Sequence, residues 1–420
     1  MITDPLVLIR AAHFAATLLA SGTVFFTALV IGPLRLPQNS STLRERTNVL
    51  VWVALALAVL TGAMWLIWLA ANILGESLTD VCLHGGAWSV LADTRFGWIC
   101  CLRLALAIVL GLLLLVPAQR VWLVAVAAGF LALPAFASHA GATPGVRGDA
   151  HVVSDALHLL SAGAWLGGLP AFVTLLWITY RRRKPGWNDF TIEVTRRFSG
   201  LAALSVGALL ITGIVNSWNL LGGPRDLWTT DYGRLVGFKI VLLVAMIAIA
   251  TANKLHLTPR LPARVALGKL QRNSLAEIAI GLCVLVLVGY LGRLEPTAHI
   301  HPATALIPPD AAYTHIHMPE AMADVTVSPG RAGRSSMTIR VSREDFTPFA
   351  AKDVRIFLDP PGASANSADS FNGHGKQQPD GTWTVSDIAL ARPGVWTVRV
   401  IVIAQSGETI VLDAPIVIER

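Results

Sequence analysis

Charge is scarce in this chain. Charged residues make up 14% of its 420 positions and apolar residues 54%, a balance too hydrophobic for an ordinary soluble enzyme and fitting a polytopic membrane protein. Cysteine is sparse as well. Cys82, Cys100, Cys101 and Cys283 match the spacing of neither a zinc ribbon nor a dense disulfide framework. Cys100, Cys101 and Cys283 read as buried free thiols, or Cys82 is bridged to Cys100 or Cys101 should that loop face an oxidising compartment. A Walker lysine loop, a His-Glu-x-x-His pair and a nucleophile elbow are missing, so ATP-driven pumping and hydrolysis lack support and the chain is not expected to be an enzyme. A cleavable signal peptide is not expected, because no basic region precedes the apolar run from Ala11 to Ile31.

What the chain does have is long uncharged runs. Eight stretches, near 6–31, 49–74, 97–116, 120–138, 151–179, 198–221, 235–256 and 274–292, are long enough to cross a hydrocarbon core of about 30 Å at roughly 1.5 Å per residue. An even number of spans puts both termini on one side. Loops one, three, five and seven are crowded with basic residues, Arg181-Arg-Arg-Lys184 above all, whereas loops two, four and six hold only Arg95, Arg147, Arg225 and Arg234. Lys and Arg are retained in the cytoplasm, which predicts an N-out, C-out bundle. The net charge of +7 is therefore a topology signal, and nucleic acid is not an expected partner.

After Gly292 the pattern changes. Residues 1–294 read as the transmembrane domain and 295–312 as a Pro- and Ala-rich linker. Residues 313–420 read as a small extracytoplasmic all-β, Ig-like sandwich, with six or seven short alternating runs separated by turns such as Ser328-Pro329-Gly330 and Asp380-Gly381.

On this layout ten of the eleven histidines fall outside the cytoplasm or in the outer part of the membrane; His256 is the exception. A one-sided histidine population points to metal handling. In the soluble part, His315 and His317 share one face of an extended strand, with Met318 and Met322 near enough to add thioether sulfur and favour Cu(I). Recruiting Met318 requires a bend at Pro319. A second His-x-His, His299 and His301, lies in the linker.

In the spans, Arg10, Arg103, Asp155, Lys239 and Glu277 stand out, because ionisable groups there are costly and face the bundle interior or an aqueous cavity. Arg10 and His13 share a face of the first span; His151, Asp155 and His158 share one of the fifth. Asp155 would ligate a cation, orient a histidine, or simply pair with an arginine such as Arg10. Trp65, Trp68, Trp88, Trp98, Trp165, Trp218 and Trp228 fit an interfacial belt. Gly163, Gly167 and Gly168 allow close helix packing.

Several of these residues lie in longer motifs: Arg10-Ala-Ala-His13, Ser138-His-Ala-Gly141, and His158-Leu-Leu-Ser-Ala-Gly-Ala-Trp-Leu-Gly-Gly-Leu169. The series continues with Arg197-Phe-Ser-Gly-Leu201, Thr212-Gly-Ile214, Tyr232-Gly-Arg-Leu235, Lys239, Asn253, Pro259-Arg-Leu261 and Glu277. In this order they resemble the CopD (PcoD) family of bacterial copper-resistance inner-membrane proteins, and the tail from about Thr314 is similar to the YtkA-like β-domain fused to some of its members. The resemblance implies an eight-helix inner-membrane protein that manages periplasmic copper and takes it into the cytoplasm, with His13, His139 and His158 as the membrane residues involved. Fused relatives place a CopC-type domain before the helices; none is present here, which implies a separate CopC-like periplasmic copper carrier as partner.

The expected function is copper transport or tolerance, with capture at the outer His/Met residues and passage along His139, His151, His158 and His13. Two alternatives stay open. One is a redox carrier with His13 and His158 as axial ligands of a b-type haem, and the other is a membrane-anchored copper-binding scaffold or sensor.

Overall fold

In the computed structural model, residues 4–38, 40–74, 77–116, 119–137, 145–182, 186–221, 223–294, 308, 310–318, 321–343, 347–361 and 370–419 are described. The chain divides into two compact units, Met1–His299 and Ile300–Arg420.

The first unit is helical: α1 Pro5–Phe25, α2 Ser41–Leu74, α3 Leu78–Leu83, α4 Gly86–Asp93, α5 Arg95–Leu115, α6 Arg120–Ala132, α7 Gly145–Ala162, α8 Leu169–Arg182, α9 Trp187–Leu220, α10 Asp226–Thr229, α11 Asp231–Ala252 and α12 Arg264–Leu291. Asp4 starts α1 by accepting from Leu6 N–H at 2.8 Å, and Pro5 occupies the first turn, where no N–H is needed. Among the described residues three stretches widen to π-helix: Phe26–Ile31 after α1, Gly163–Gly167 between α7 and α8, and Asn253–Leu257 after α11.

Among the described residues eight helical segments are long and apolar enough to cross a membrane. They match the eight expected spans, but several are longer. The second begins at Ser41, the sixth at Trp187 and the eighth at Arg264, and the seventh runs on to Arg260. Hydropathy marks where lipid contact ends, whereas the i to i−4 backbone ladder continues into basic sequence without needing lipid.

The first span is the most enclosed of the eight and the seventh the least. Around α1 pack α2, α6, α12 and the π-turn of the fifth span. The closest approach is between Gly22 and Gly167. A Cβ on Gly22 would lie 2.2 Å from the Gly167 carbonyl carbon, and one on Gly167 would lie 2.0 Å from Leu18 O. Only glycine lets these backbones touch, in line with the small-residue packing expected of the fifth span.

All four cysteines are free thiols, so no bridge joins Cys82 to its neighbours. Their expected burial holds only in part. Cys101 and Cys283 turn outward, where in a spanning helix lipid rather than protein covers a small hydrophobe.

Among its described residues the second unit has nine strands: β1 Ala312–His317, β2 Met322–Ser328, β3 Gly333–Ser342, β4 Ala351–Asp359, β5 Phe371–His374, β6 Lys376–Gln377, β7 Trp383–Leu390, β8 Gly394–Ala404 and β9 Thr409–Ile418. They form two antiparallel sheets, ordered β1-β2-β3-β7-β6 and β5-β4-β8-β9. Alternate residues of both sheets, among them Val325, Ile339, Val354, Ile356, Trp396, Val398 and Leu412, fill one shared core. Strands β5 and β6 escape sequence reading because four and two residues are too short to show an alternation.

Candidate functional site

Three polar clusters form in the helical unit, all in the interior of the spans. The first surrounds His13 on α1, whose side chain is 3% exposed. Thr61 on α2 donates its hydroxyl proton to Leu57 O at 2.6 Å, so its oxygen accepts from His13 Nδ1 at 3.1 Å. Arg103 on α5 donates through Nη1 to His13 Nε2 at 2.5 Å, through Nη2 to Thr17 at 3.0 Å, and through Nε to Phe130 O at 3.3 Å. Both ring nitrogens of His13 are thus engaged. Trp65 meets the ring edge-on at 5.5 Å, and the Arg10 guanidinium lies over Trp65 at 5.3 Å.

The second cluster is built on α7. His158 Nδ1 lies 2.9 Å from Thr212 Oγ1 on α9, and Thr212 gives its own proton to Ala208 O at 2.7 Å. His158 is therefore the donor through Nδ1, which leaves the lone pair on Nε2; among the described residues that atom has no hydrogen-bond partner. One turn away, Ser154 donates to Asn216 Oδ1 at 2.7 Å and Asn216 Nδ2 donates to Asp155 at 3.3 Å. Lys239 on α11 is within electrostatic range of both Asp155 and His158, and Tyr232 is within range of Asp155. His151, 6% exposed, belongs to the same helix face.

The third cluster centres on Glu277, 2% exposed on α12, which accepts from Asn253 Nδ2 at 2.9 Å and from the Trp165 side chain. Asn273 in turn donates to Asn253 at 2.7 Å.

These placements revise several expectations. Arg10 donates to Gly292 O at 2.7 Å, at the end of α12, so its guanidinium is engaged away from the Asp155 pairing considered for it. Trp65 and Trp165 also take part in the His13 and Glu277 clusters, Trp65 through its ring and Trp165 through its side-chain hydrogen bond. Trp88, Trp98, Trp218 and Trp228 are exposed. His139, His299 and His301 lie outside the described residues. Thr61, Thr212, Asn216 and Asn253 form the supporting shell. Thr212 and Asn253 belong to the motifs quoted above, whereas Thr61 and Asn216 carry no spacing signal and only their partners reveal them.

In the β unit, the register pairs His315 with Asp324 and His317 with Met322, so all four positions share one face of the β1–β2 ladder. Asp324, 4% exposed, receives His315 Nδ1 at 2.7 Å and the Tyr313 hydroxyl at 2.5 Å. A carboxylate on Nδ1 fixes the tautomer that turns Nε2 away from it, the arrangement used to orient metal-binding imidazoles. His317 is described here by its backbone register alone. Met318 opens the turn between the strands, its N–H bonding to Ala321 O at 3.1 Å, and its side chain is exposed; Met322 is fully buried. Among the described residues no three His, Cys, Asp or Glu side chains gather into a metal-binding set.

Eight spans enclosing histidines held by threonines define a multi-pass membrane protein with a polar interior. Residues 1–149 match the family model of the copper resistance protein D-like N-terminal domain, and residues 192–291 match that of copper resistance protein D. The chain belongs to the copper resistance protein D family, as its motifs had indicated. It is 29% identical over 296 residues to inner membrane protein YebZ of Escherichia coli (strain K12), an alignment covering 69% of this chain and 97% of that one. It is 28% identical over 242 residues to copper resistance protein D of Pseudomonas syringae pv. tomato, covering 54% of this chain and 74% of the relative. Identity to copper transport protein CutJ of Bacillus subtilis (strain 168) is 28% over 227 residues, covering 52% of this chain but 38% of CutJ. No solved structure matches the chain.

Proposed function

We propose that this protein binds copper outside the cytoplasm and imports it across the bacterial inner membrane, contributing to copper homeostasis and resistance. Its bundle is read as N-out, C-out, with the β unit as a periplasmic, YtkA-like, Ig-like domain. The observation that carries this reading is His158, whose Nδ1 is held by Thr212 while Nε2 has no hydrogen-bond partner among the described residues. A neutral imidazole with a fixed tautomer and a lone pair not taken by a hydrogen bond is a ready ligand for copper. The family match and the relatives named for copper transport and copper resistance support the choice of metal.

In this scheme His315, with Asp324 behind it, captures copper together with His317, Met318 or Met322, receiving it from a separate CopC-like carrier. His139 and His151 lead to His158 and the bundle. His13 joins the path when Arg103 swings off Nε2, which makes Arg103 a gate between two states of the first cluster. The test is cellular copper accumulation and copper binding by the purified protein, wild type against His158→Ala. Unchanged accumulation and stoichiometry would remove this reading.

A further inference from the structure

The Glu277 cluster borders a cavity of about 240 Å³, room for several waters at a liquid share of about 30 Å³ each. Trp165, Phe172 and Phe198 form its apolar wall, and Thr195, Ser199 and Ser274 put hydroxyls on it. It reaches from Glu277 to Lys254 and Thr258, at the arginine-rich end of the bundle. Glu277 stands 13 residues after the start of α12 at Arg264 and 14 before its end at Leu291, so roughly 20 Å of helix lies on either side. The first turns of α12 carry Lys269 and Arg272, however, and its apolar run begins only near 274, so the carboxyl lies just inside the basic end of the span, in the half of the membrane that every histidine but His256 leaves empty.

Three observations converge on exchange at this carboxyl. First, both its donors come from π-helical turns, Trp165 from Gly163–Gly167 and Asn253 from Asn253–Leu257. Widened turns of this kind are rare and recur at functional sites. Second, no cation compensates it among the described residues. Lys254 is the other charged group on the cavity wall and makes no ion pair with it, α8 and α9 contribute aromatics and hydroxyls there, and Arg10 of α1 is at the opposite end of α12 beside Gly292. An uncompensated carboxylate inside a membrane is costly. Third, Ser274, one turn before Glu277 on the same face, has a buried hydroxyl without a hydrogen-bond partner among the described residues. A buried hydroxyl on a cavity wall calls for a water or ion to satisfy it.

We propose that Glu277 is an exchangeable proton site. The carboxyl is neutral when the inner half of the bundle is closed, and it gives its proton to water in the cavity, leaving a carboxylate held by Trp165 and Asn253. On the copper-import reading above, on which this coupling rests, the carboxylate left by that release compensates the charge of the passing cation.

Infrared difference spectroscopy on the full chain in lipid nanodiscs, titrated with acid and base without copper, tests the proton site by itself. A protonated-carboxyl C=O band that disappears on raising the pH is expected, lost altogether in Glu277→Gln. In Trp165→Phe, which keeps the ring but removes the N–H donor, the band should persist at a shifted frequency. Absence of a titrating band, a band unmoved in both variants, or one that follows sodium concentration at fixed pH overturns the proposal. In proteoliposomes holding a pH dye, added copper should move protons with wild type and not with Glu277→Gln. Wild type that takes up copper with no proton movement overturns the coupling. Wild type that takes up no copper sinks the transport reading, while the nanodisc titration still decides the proton site.

Discussion

Arg103 caps Nε2 of His13, donating across 2.5 Å, while no such cap covers Nε2 of His158 among the described residues. The two histidines are otherwise held alike, each giving its Nδ1 proton to a threonine whose own hydroxyl bonds back to its helix. Among the described residues one imidazole is bonded on Nδ1 alone and the other on both nitrogens, with a guanidinium on Nε2.

That difference predicts unequal variants. His158→Ala should weaken copper binding by the purified helical unit within the full chain by at least tenfold, about 1.4 kcal/mol. His13→Ala should change resting affinity much less. Arg103→Gln should raise copper stoichiometry by uncovering His13, while lowering thermal stability through the loss of three buried hydrogen bonds, on the order of 1 kcal/mol each or more. Metal analysis after desalting, with thermal unfolding in parallel, checks all three. Equal losses from both histidine variants would refute the gate. The same samples address haem, since a Soret band would return His13 and His158 to the role of axial ligands.

Thr212 makes a subtler test. Thr212→Val keeps the shape of the side chain but removes the acceptor that fixes His158, freeing the ring to rotate and change tautomer. Loss of an orienting partner typically costs about 10- to 100-fold in metal affinity. Thr212→Ser, which retains the oxygen, should restore most of it. If valine binds copper as wild type does, the threonine only packs.

The contrast between these residues shows how far sequence carries. Lipid demands uninterrupted apolar helices, so the eight spans stand out by hydropathy, and the order of motifs discloses the family. Partners are a different matter. Arg103 and His13 are 90 residues apart and His158 and Thr212 are 54 apart, and nothing local in either pair announces the other. Trp165 reads as an interfacial tryptophan until the π-turn is seen aiming it at Glu277. Met322 reads as a ligand equal to Met318, yet it is enclosed and Met318 is exposed, because a register of the β1–β2 hairpin decides which thioether meets solvent.

The crossing of Gly22 and Gly167 predicts a sharp steric effect. Gly167→Ala puts a methyl 2.0 Å from Leu18 O, a backbone atom that moves only if the whole of α1 moves. The expected cost is about 3 kcal/mol, seen as loss of monodisperse protein and a lower unfolding temperature. Gly207→Ala, where an added Cβ meets nothing within 4 Å, serves as the control and should be neutral or slightly stabilising, since alanine is the better helix former by roughly 1 kcal/mol.

In the β unit, Asp324→Asn keeps the volume but replaces the carboxylate that His315 Nδ1 and Tyr313 both face. The imidazole loses its fixed orientation, so copper bound by the full chain outside the bundle should weaken by about tenfold or more. The readout is copper competition against a chelator in the His158→Ala background, which isolates the outer site. Equal affinity before and after the change would show that His315 is not a ligand.

The sidedness of the bundle is open to a direct chemical test, because Cys82 is an exposed free thiol on α3, in loop two, while Cys100, Cys101 and Cys283 belong to spanning helices. In a variant with those three changed to serine, a membrane-impermeant maleimide should label Cys82 in intact spheroplasts. A cysteine placed at Lys184, in the basic loop after α8, should react only after the membrane is opened. The reverse pattern would turn the protein over, put the β unit in the cytoplasm, and make His315 a receiver of copper leaving the bundle instead of a donor to it. The polar route would then run from the Glu277 cavity outside to His158 inside, so one labelling experiment fixes the order in which an ion meets the three clusters.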